Sequence, residues 1–295
     1  MARGKSLKIF MMDGSAAGRW VCTLAGRTTK AYRIPRALLK KCSDIDELKR
    51  PAAYLLFGDE DNTGRPVVYI GETEDAYTRL KDHEDKKDYW SEAVVFLSQD
   101  DHFNKAHVKY LEGRLYEIAM QVDRYTVMNT QKPTSASIAI DEQAEMEDFI
   151  DNVSVLTFGM GHKVFEPLIK KEASSADLSD KQIFFIKTKN NSVDAKMVRT
   201  VEGYVVLKGS KIRESDTKST PSWAKKKRVQ LIADGTIKDS VFTRDELFLS
   251  PSGASDLVTG NSTSGNRMWK TEAGVTLGEI LEKEKTDWQQ NTCSI

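Results

Sequence analysis

The sequence predicts an α+β fold: a small mixed sheet covered by helices, with a β-hairpin module before it and a second α+β module after it. Three observations carry that prediction. β-rich runs occur in pairs around turn residues, runs with apolar residues three and four apart alternate with them, and a polar stretch past the middle of the chain separates two such sets.

In order, residues 7 to 12 (LKIFMM) and 19 to 24 (RWVCTL) flank the turn residues Asp13, Gly14 and Gly18 and read as a hairpin, and Ile34 to Cys42 reads as a short helix. Ala53 to Phe57 and Val67 to Ile70 are β-rich runs either side of a turn, so they should pair. Gly71 ends the second. Thr73 is the expected N-cap of the next helix, with Glu74 and Asp75 in its first turn, and this places Arg79 and His83 one turn apart on one face. Ala93 to Leu97 reads as a strand. In 103 to 122, Val108, Leu111, Leu115, Ile118 and Val122 form the stripe of an amphipathic helix, beside which Lys105, Glu112 and Tyr116 share a second face. Tyr125 to Asn129 is a short strand stopped by Pro133.

Residues 133 to 140 read as a polar connector and 141 to 158 as an acidic helix bearing Met146, Phe149, Ile150 and Val153. The stretch 166 to 181 has few apolar residues and reads as the main linker. Strands follow at 183 to 187 and 203 to 208, then helices around Trp223 to Ile232, 251 to 259 and 276 to 285, and a frayed tail. The resulting division is an N-terminal hairpin module (1–49), a central domain (50–135), a helical connector and linker (136–182), a C-terminal α+β domain (183–285) and a tail (286–295).

Composition restricts function only broadly. The 295 residues are 39% hydrophobic and 30% charged, the balance of a folded chain rather than a disordered one. Because 44 basic residues offset 44 acidic ones, a nucleic acid would have to be held by local basic patches. No apolar run reaches the roughly 18 to 20 residues of a membrane span, and the start, MARGKSLKIFMMDG, lacks a signal-peptide core, so a cytoplasmic location without membrane partners is expected. Cys22, Cys42 and Cys293 lack disulfide or zinc spacing and read as reduced thiols; of His83, His102, His107 and His162 the closest two are five apart, on different helix faces. Gly159-Met160-Gly161 is too short for a phosphate loop and LKGSK lacks the upstream glycine of a P-loop, so no nucleotide cofactor is expected.

Hydrolysis of a phosphodiester needs a group to activate water, a cation against the developing phosphorane charge and stabilisation of the leaving oxygen. Tyr54 and Tyr69 on adjacent strands, Arg79 and His83 on the next helix and Glu112 on a later one bring such groups within one module. Each alone is common packing or a surface residue. Together, Tyr54, Tyr69-Ile70-Gly71-Glu72-Thr73, Arg79 with His83, Glu112 and Asn129 resemble the ordered motifs of the GIY-YIG nucleases. Pro51, AHVKYLE and the acidic helix after Pro133 resemble one bacterial subgroup of that superfamily, whose C-terminal domain of unknown function is similar to residues 193 to 282, notably EGYVVLKGSK, FLSPSGASDLV and MWK.

The resemblance implies a metal-dependent DNA endonuclease. One tyrosine, with Tyr54 preferred, would accept a proton from the attacking water, although ionising a free phenol at neutral pH costs about 4 kcal/mol. Arg79 would clamp the scissile phosphate. His83 would lie near the phenol or the phosphate, or else be a helix-surface histidine. Glu112 would hold one divalent metal, Mg²⁺ with Mn²⁺ as a substitute, and Asn129 would orient the last strand or a water, or simply make a structural hydrogen bond. The first tripeptide departs from the family: Ala52-Ala53-Tyr54 stands where Gly-Ile-Tyr is usual. That departure keeps open a second reading, a catalytically inactive DNA-binding module of the same fold. Candidate DNA contacts are Arg36, Lys40 and Lys41, and Lys225, Lys226, Lys227 and Arg228 beside Trp223; a basic run on a helix is also an ordinary solvated face.

Overall fold

The computed structural model describes residues 4–60, 65–169, 182–188 and 190–292. The chain divides into two compact units, Met1–Pro167 and Leu168–Ile295. That division falls inside the polar stretch expected to link the modules, of which 170–181 lies outside the described residues, as does Cys293. Cys22 and Cys42 are free and buried. Among the described residues no helix is long and apolar enough to cross a membrane.

The first unit contains β1 (Leu7–Met11), β2 (Trp20–Leu24), β3 (Thr29–Pro35), 3-10 turns at Arg36–Cys42 and Asp46–Lys49, β4 (Ala52–Asp59), β5 (Pro66–Thr73), α1 (Ala76–Lys86), β6 (Trp90–Ser98), α2 (Lys105–Val122), β7 (Thr126–Val127) and α3 (Ile140–Gly159). Among the described residues its strands form one sheet of order β1-β2-β3-β6-β4-β5-β7, antiparallel throughout except for β5 with β7. The hairpin at 7–24 is thus joined to the central strands by β3, which pairs with β6 over Thr29–Pro35, so residues 1–49 extend that sheet and are not a module apart. The sequence hides β3 because Lys30 and Arg33 interrupt its apolar residues. Lys30 bonds Glu47, while Arg33 lies over the Trp20 ring and pairs with Glu92. The expected helix at 34–42 is correspondingly a 3-10 turn that begins only after β3 ends.

Alternation along β4 builds both cores of the unit. Ala53, Leu55 and Phe57 pack with Leu111, Leu115 and Ala119 of α2 and Met146, Phe149, Ile150 and Val153 of α3. Ala52, Tyr54 and Leu56 instead face α1, through Ala76 and Leu80, and the 3-10 turns, through Leu39 and Leu48. Period-two alternation therefore sends α1 and α2 to opposite faces, and a strand buried on both is central. Helix α1 starts later than expected: Thr73 is still paired with Ala52 in the ladder, so Asp75 is the N-cap and accepts from Thr78 N at 2.9 Å. Asn104 caps α2 through a capping box with His107.

The second unit contains β8 (Ile183–Lys187), β9 (Asp194–Thr200), β10 (Gly203–Val206), α4 (Ser222–Ala233), β11 (Ile237–Lys238), β12 (Val241–Phe242), β13 (Glu246–Phe248), α5 (Pro251–Thr259), α6 (Gly265–Met268) and α7 (Leu277–Thr292). An antiparallel sheet β13-β10-β9-β8 and the β11–β12 hairpin surround a core of Phe184, Ile186, Met197, Leu231, Phe242, Leu257 and Trp269. β9 is absent from the sequence reading because Asp194, Lys196 and Arg199 interrupt its short apolar pattern. Residues 286–292, expected to be tail, continue α7, which carries an i,i+3 pair between Glu282 and Lys285. Pairs of this kind support helix where apolar periodicity has run out.

Candidate active site

The site is assembled on β5 beside β4. In the ladder Tyr54 stands directly opposite Gly71, and a Cβ at position 71 would lie 2.4 Å from both Cζ and the hydroxyl oxygen of Tyr54. Only hydrogen fits there, so the glycine after Ile70 is required by the tyrosine on the neighbouring strand. Tyr69, two residues before Gly71 on the same face, brings its ring centroid to 6.2 Å from that of Tyr54. Ala52 is fully buried in the same cluster, and β4 accommodates its methyl group.

Helix α1 lays Arg79 and His83 against these phenols. Tyr54 OH is 2.7 Å from His83 Nε2, and Arg79 Nε donates to Tyr54 OH at 3.2 Å. Since a guanidinium only donates, the phenol proton is directed to His83 Nε2, which must then be unprotonated. Burial does keep it so: with help from the charges of Lys87 and Arg79 it pushes the His83 pKa down to about 4. Tyr54 is itself 0% exposed, and burial, reinforced by Tyr69, drives its pKa far above the usual phenol value. The sequence reading prefers Tyr54 as the phenol at the water; in the structure Tyr54 is fully buried whereas Tyr69 is half-buried and open to solvent. Hydrogen bonding to Tyr54 raises the Arg79 pKa, and among the described residues Arg79 forms no ion pair.

Lys87, four residues past His83, was not singled out in the sequence. Its Nζ lies 3.2 Å from the Tyr69 ring centroid, and burial followed by Arg79 brings its pKa down to about 8. The one-turn spacing 79, 83, 87 could have found it.

From the other face of the sheet come Glu112 on α2 and Glu72 at the end of β5. Burial and then the charge of Glu72 raise the Glu112 pKa to about 7, while Lys105 and Arg79 draw it down, so Arg79 acts on both the phenols and this carboxyl. Glu72 is paired with Lys105 at 2.8 Å; Glu112 has no hydrogen bond or ion pair among the described residues. Two neighbouring carboxylates, one without a partner, suit a hard cation that fills the rest of its shell with water and phosphate oxygens; among the described residues no three His, Cys, Asp or Glu side chains are placed to hold a metal ion by themselves. Glu72 lies in the quoted motif but was given no role; as the residue after Gly71 it faces α2, which the alternation could have indicated.

Asn129 has a structural role. Its Oδ1 accepts from Ile70 N at 3.0 Å and its Nδ2 donates to Ile70 O at 2.7 Å, so one amide satisfies the β5 edge between Tyr69 and Gly71 where β7 has ended.

The basic candidates separate. Arg36 is not free for DNA: its guanidinium bonds the carbonyls of Glu84, Asp88 and Trp90 and lies over the Trp90 ring, which ties down the end of α1. Arg228 is 5% exposed, paired with Asp216 at 3.0 Å and bonded to the Arg213 carbonyl; Lys227 pairs with Glu246 at 2.9 Å. Lys40, Lys41, Trp223, Lys225 and Lys226 are exposed.

The folds now described are both α+β, the first a sheet covered on two faces by helices and the second a four-stranded sheet with a helical flank. Residues 184–281, from within β8 to within α7, match the family model described as a domain of unknown function, DUF4357. No curated protein and no solved structure matches the chain.

Proposed function

We propose that the first unit is a metal-dependent DNA endonuclease of the GIY-YIG type. The observation that carries this reading is the position of Arg79, whose Nε is fixed by Tyr54 while its charge acts on Glu112, a half-buried carboxyl with no partner among the described residues. With Nε held, the terminal nitrogens of Arg79 can grip the scissile phosphate in the planar geometry that suits it. His83 Nε2 accepts the hydrogen bond from Tyr54 OH, which leaves the phenol oxygen to accept from Arg79 and sets the guanidinium direction.

With its own proton released to solvent, Tyr69 would receive the proton of the attacking water as a phenolate, since it is the phenol that solvent reaches. Lys87 over its ring and the guanidinium of Arg79 place positive charge beside that phenol. Bound by Glu112 next to Glu72, Mg²⁺ or Mn²⁺ would supply positive charge against the leaving oxygen. The test is incubation of the purified chain with labelled single-stranded, duplex and branched DNA, with either metal and with chelator. Cleavage that chelator abolishes is the expected result. Binding without cleavage in either metal would replace this reading by the inactive DNA-binding module, and cleavage unaffected by chelator would remove the metal.

A further inference from the structure

The segment Met268-Trp269-Lys270 takes no part in the proposed chemistry, yet it organises a second surface. Trp269 is fully buried and donates through Nε1 to Pro251 O at 3.0 Å, which anchors the turn that follows α6. Lys270 then pairs with the edge of β8: Phe185 N donates to Lys270 O at 2.7 Å and Lys270 N to Phe185 O at 3.1 Å. The turn closes through Thr271 N to Val275 O at 2.8 Å, with Gly274 at φ +84°. A loop held at both ends presents its side chains at fixed spacing.

Between this loop and β8 lies an open cavity of about 410 Å³ lined by Phe185, Lys187, Arg267, Met268 and Lys270. Phe184 and Ile186 point into the core, so Phe185 and Lys187 stand on the outer face of the sheet, where Phe185 is half-exposed and Lys196 is its partner across the ladder. Lys187, Lys196, Arg267 and Lys270 are all exposed and form no ion pair among the described residues. Glu272 at the rim and Asp194 opposite Lys187 leave the surface net positive.

We propose that this surface of the second unit binds single-stranded nucleic acid, with a base stacked on Phe185 and phosphates held by Lys187, Arg267 and Lys270. Exposed cations without ion pairs around one half-exposed aromatic ring, with Lys187 Nζ 5.4 Å from the centroid of that ring, match a strand whose charges are regularly spaced and whose bases are free to stack in place of the ammonium; a duplex hides those faces. An acidic protein surface would satisfy the cations but leave the ring without a planar partner. The inference deepens the nuclease reading by giving the second unit a substrate contact, and it is tested separately from cleavage.

The experiment measures anisotropy of labelled oligo-dT with the full chain in chelator, all proteins carrying Arg79→Ala so that the first unit's phosphate clamp does not mask the result. Replacement of Lys187, Arg267 and Lys270 by Gln should weaken binding at least about tenfold near 0.1 M salt and make the slope of log K against log salt shallower by about 2, from roughly 0.7 per phosphate contact. Phe185→Leu should weaken binding roughly fivefold or more, with the slope unchanged. Wild-type affinity and slope in the triple variant would overturn the proposal, as would displacement of oligo-dT by poly-glutamate as readily as by unlabelled oligo-dT. Absence of cleavage with metal, alongside the expected binding changes, would sink the nuclease reading and leave this one standing.

Discussion

At the C-terminal end of α5 in the second unit, Asp256 is 8% exposed, and its Oδ1 accepts from Thr263 N at 2.7 Å and Thr263 Oγ1 at 3.0 Å. Ser255 bonds Thr263, Thr217 and Thr220 bond the Gly260 carbonyl, and buried Arg228 keeps Asp216 beside it. Burial moves Arg228 toward loss of its charge as well, but Asp216 offsets that shift; in the first unit three groups are moved the same way, His83 down to about 4, Lys87 down to about 8 and Glu112 up to about 7. Mutual satisfaction is what a structural network achieves, whereas titratable groups kept short of partners are expected where a substrate or ion completes them. The difference sets Arg79, His83 and Glu112 apart from the α5 network and supports the proposed reading of them as the site.

Removing one carboxylate from each region gives the largest contrast. Glu112→Gln should lower single-turnover cleavage by roughly 10³-fold, given the several kcal/mol that a bound metal contributes to the transition state, and leave thermal stability equal or higher. DNA affinity in chelator should hold or rise, because a charge that repels phosphate is gone, whereas Arg79→Ala should weaken affinity as well as rate. Asp256→Ala should do the opposite, costing about 1 to 3 kcal/mol in urea unfolding by removing the acceptor of the part-buried Thr263 N–H. A Glu112→Gln chain that cuts at the wild-type rate would remove the metal ligand and the comparison with it.

Gly71→Ala probes the packing beneath the site. A Cβ 2.4 Å from the Tyr54 ring forces the phenol or the strand to move, an overpacking cost of about 2 kcal/mol, and displaces the oxygen to which Arg79 Nε donates. Stability and cleavage should therefore fall together. Unchanged values for both would mean that Tyr54 does not sit over Gly71.

pH sharpens the same contrast through His83. Its folded pKa lies near 4 against an ordinary 6.5, so the unfolded chain binds the proton more readily between those values. The contribution is complete above pH 6.5 and is lost as pH falls toward 4, at most about 3 kcal/mol and roughly 1 to 2 after screening. Glu112 acts with the other sign, since a carboxyl raised from 4.5 to about 7 loses stability as pH rises through that range. The two oppose each other, so urea unfolding of the wild type without metal should vary little between pH 4.5 and 6.5. In Glu112→Gln the rise with pH should emerge; a flat profile there would mean that His83 is not buried in its neutral form.

What the sequence made legible were features with local signatures. The pairing of β4 with β5, the stripe of α2 and the 79–83 spacing of α1 each depend on residues within a turn or a hairpin of one another, and the Tyr54, Tyr69, Arg79 and His83 cluster follows from them. Among the strands that escaped, β11, β12 and β13 are only two or three residues long, while β3 and β9 carry charged residues paired with distant ones, half-buried Arg33 with Trp20 and Glu92 and exposed Arg199 with Glu284. No window of sequence holds both members. The same applies to Arg36, whose basic character suggested DNA until its three carbonyl partners in 84–90 were known, and to the relative exposure of the two tyrosines, which both read as strand residues.

The smallest expected effect concerns Ala52, the one departure that favoured the inactive module. If glycine were needed at that position for close backbone approach, Ala52→Gly should restore activity. In the structure Ala52 is paired with Thr73 in regular β-ladder geometry and its side chain is fully buried with Tyr54 and Leu56, so the methyl group fills space instead of blocking it. Glycine there would lose that packing and gain backbone freedom in the unfolded chain, which should lower stability by about 0.5 to 1 kcal/mol. Cleavage should be unchanged within about twofold, because neither Tyr54 nor Arg79 has to move. A substantial gain in rate from Ala52→Gly would mean that the methyl group holds the strand away from its catalytic position and that the wild-type chain is the impaired module.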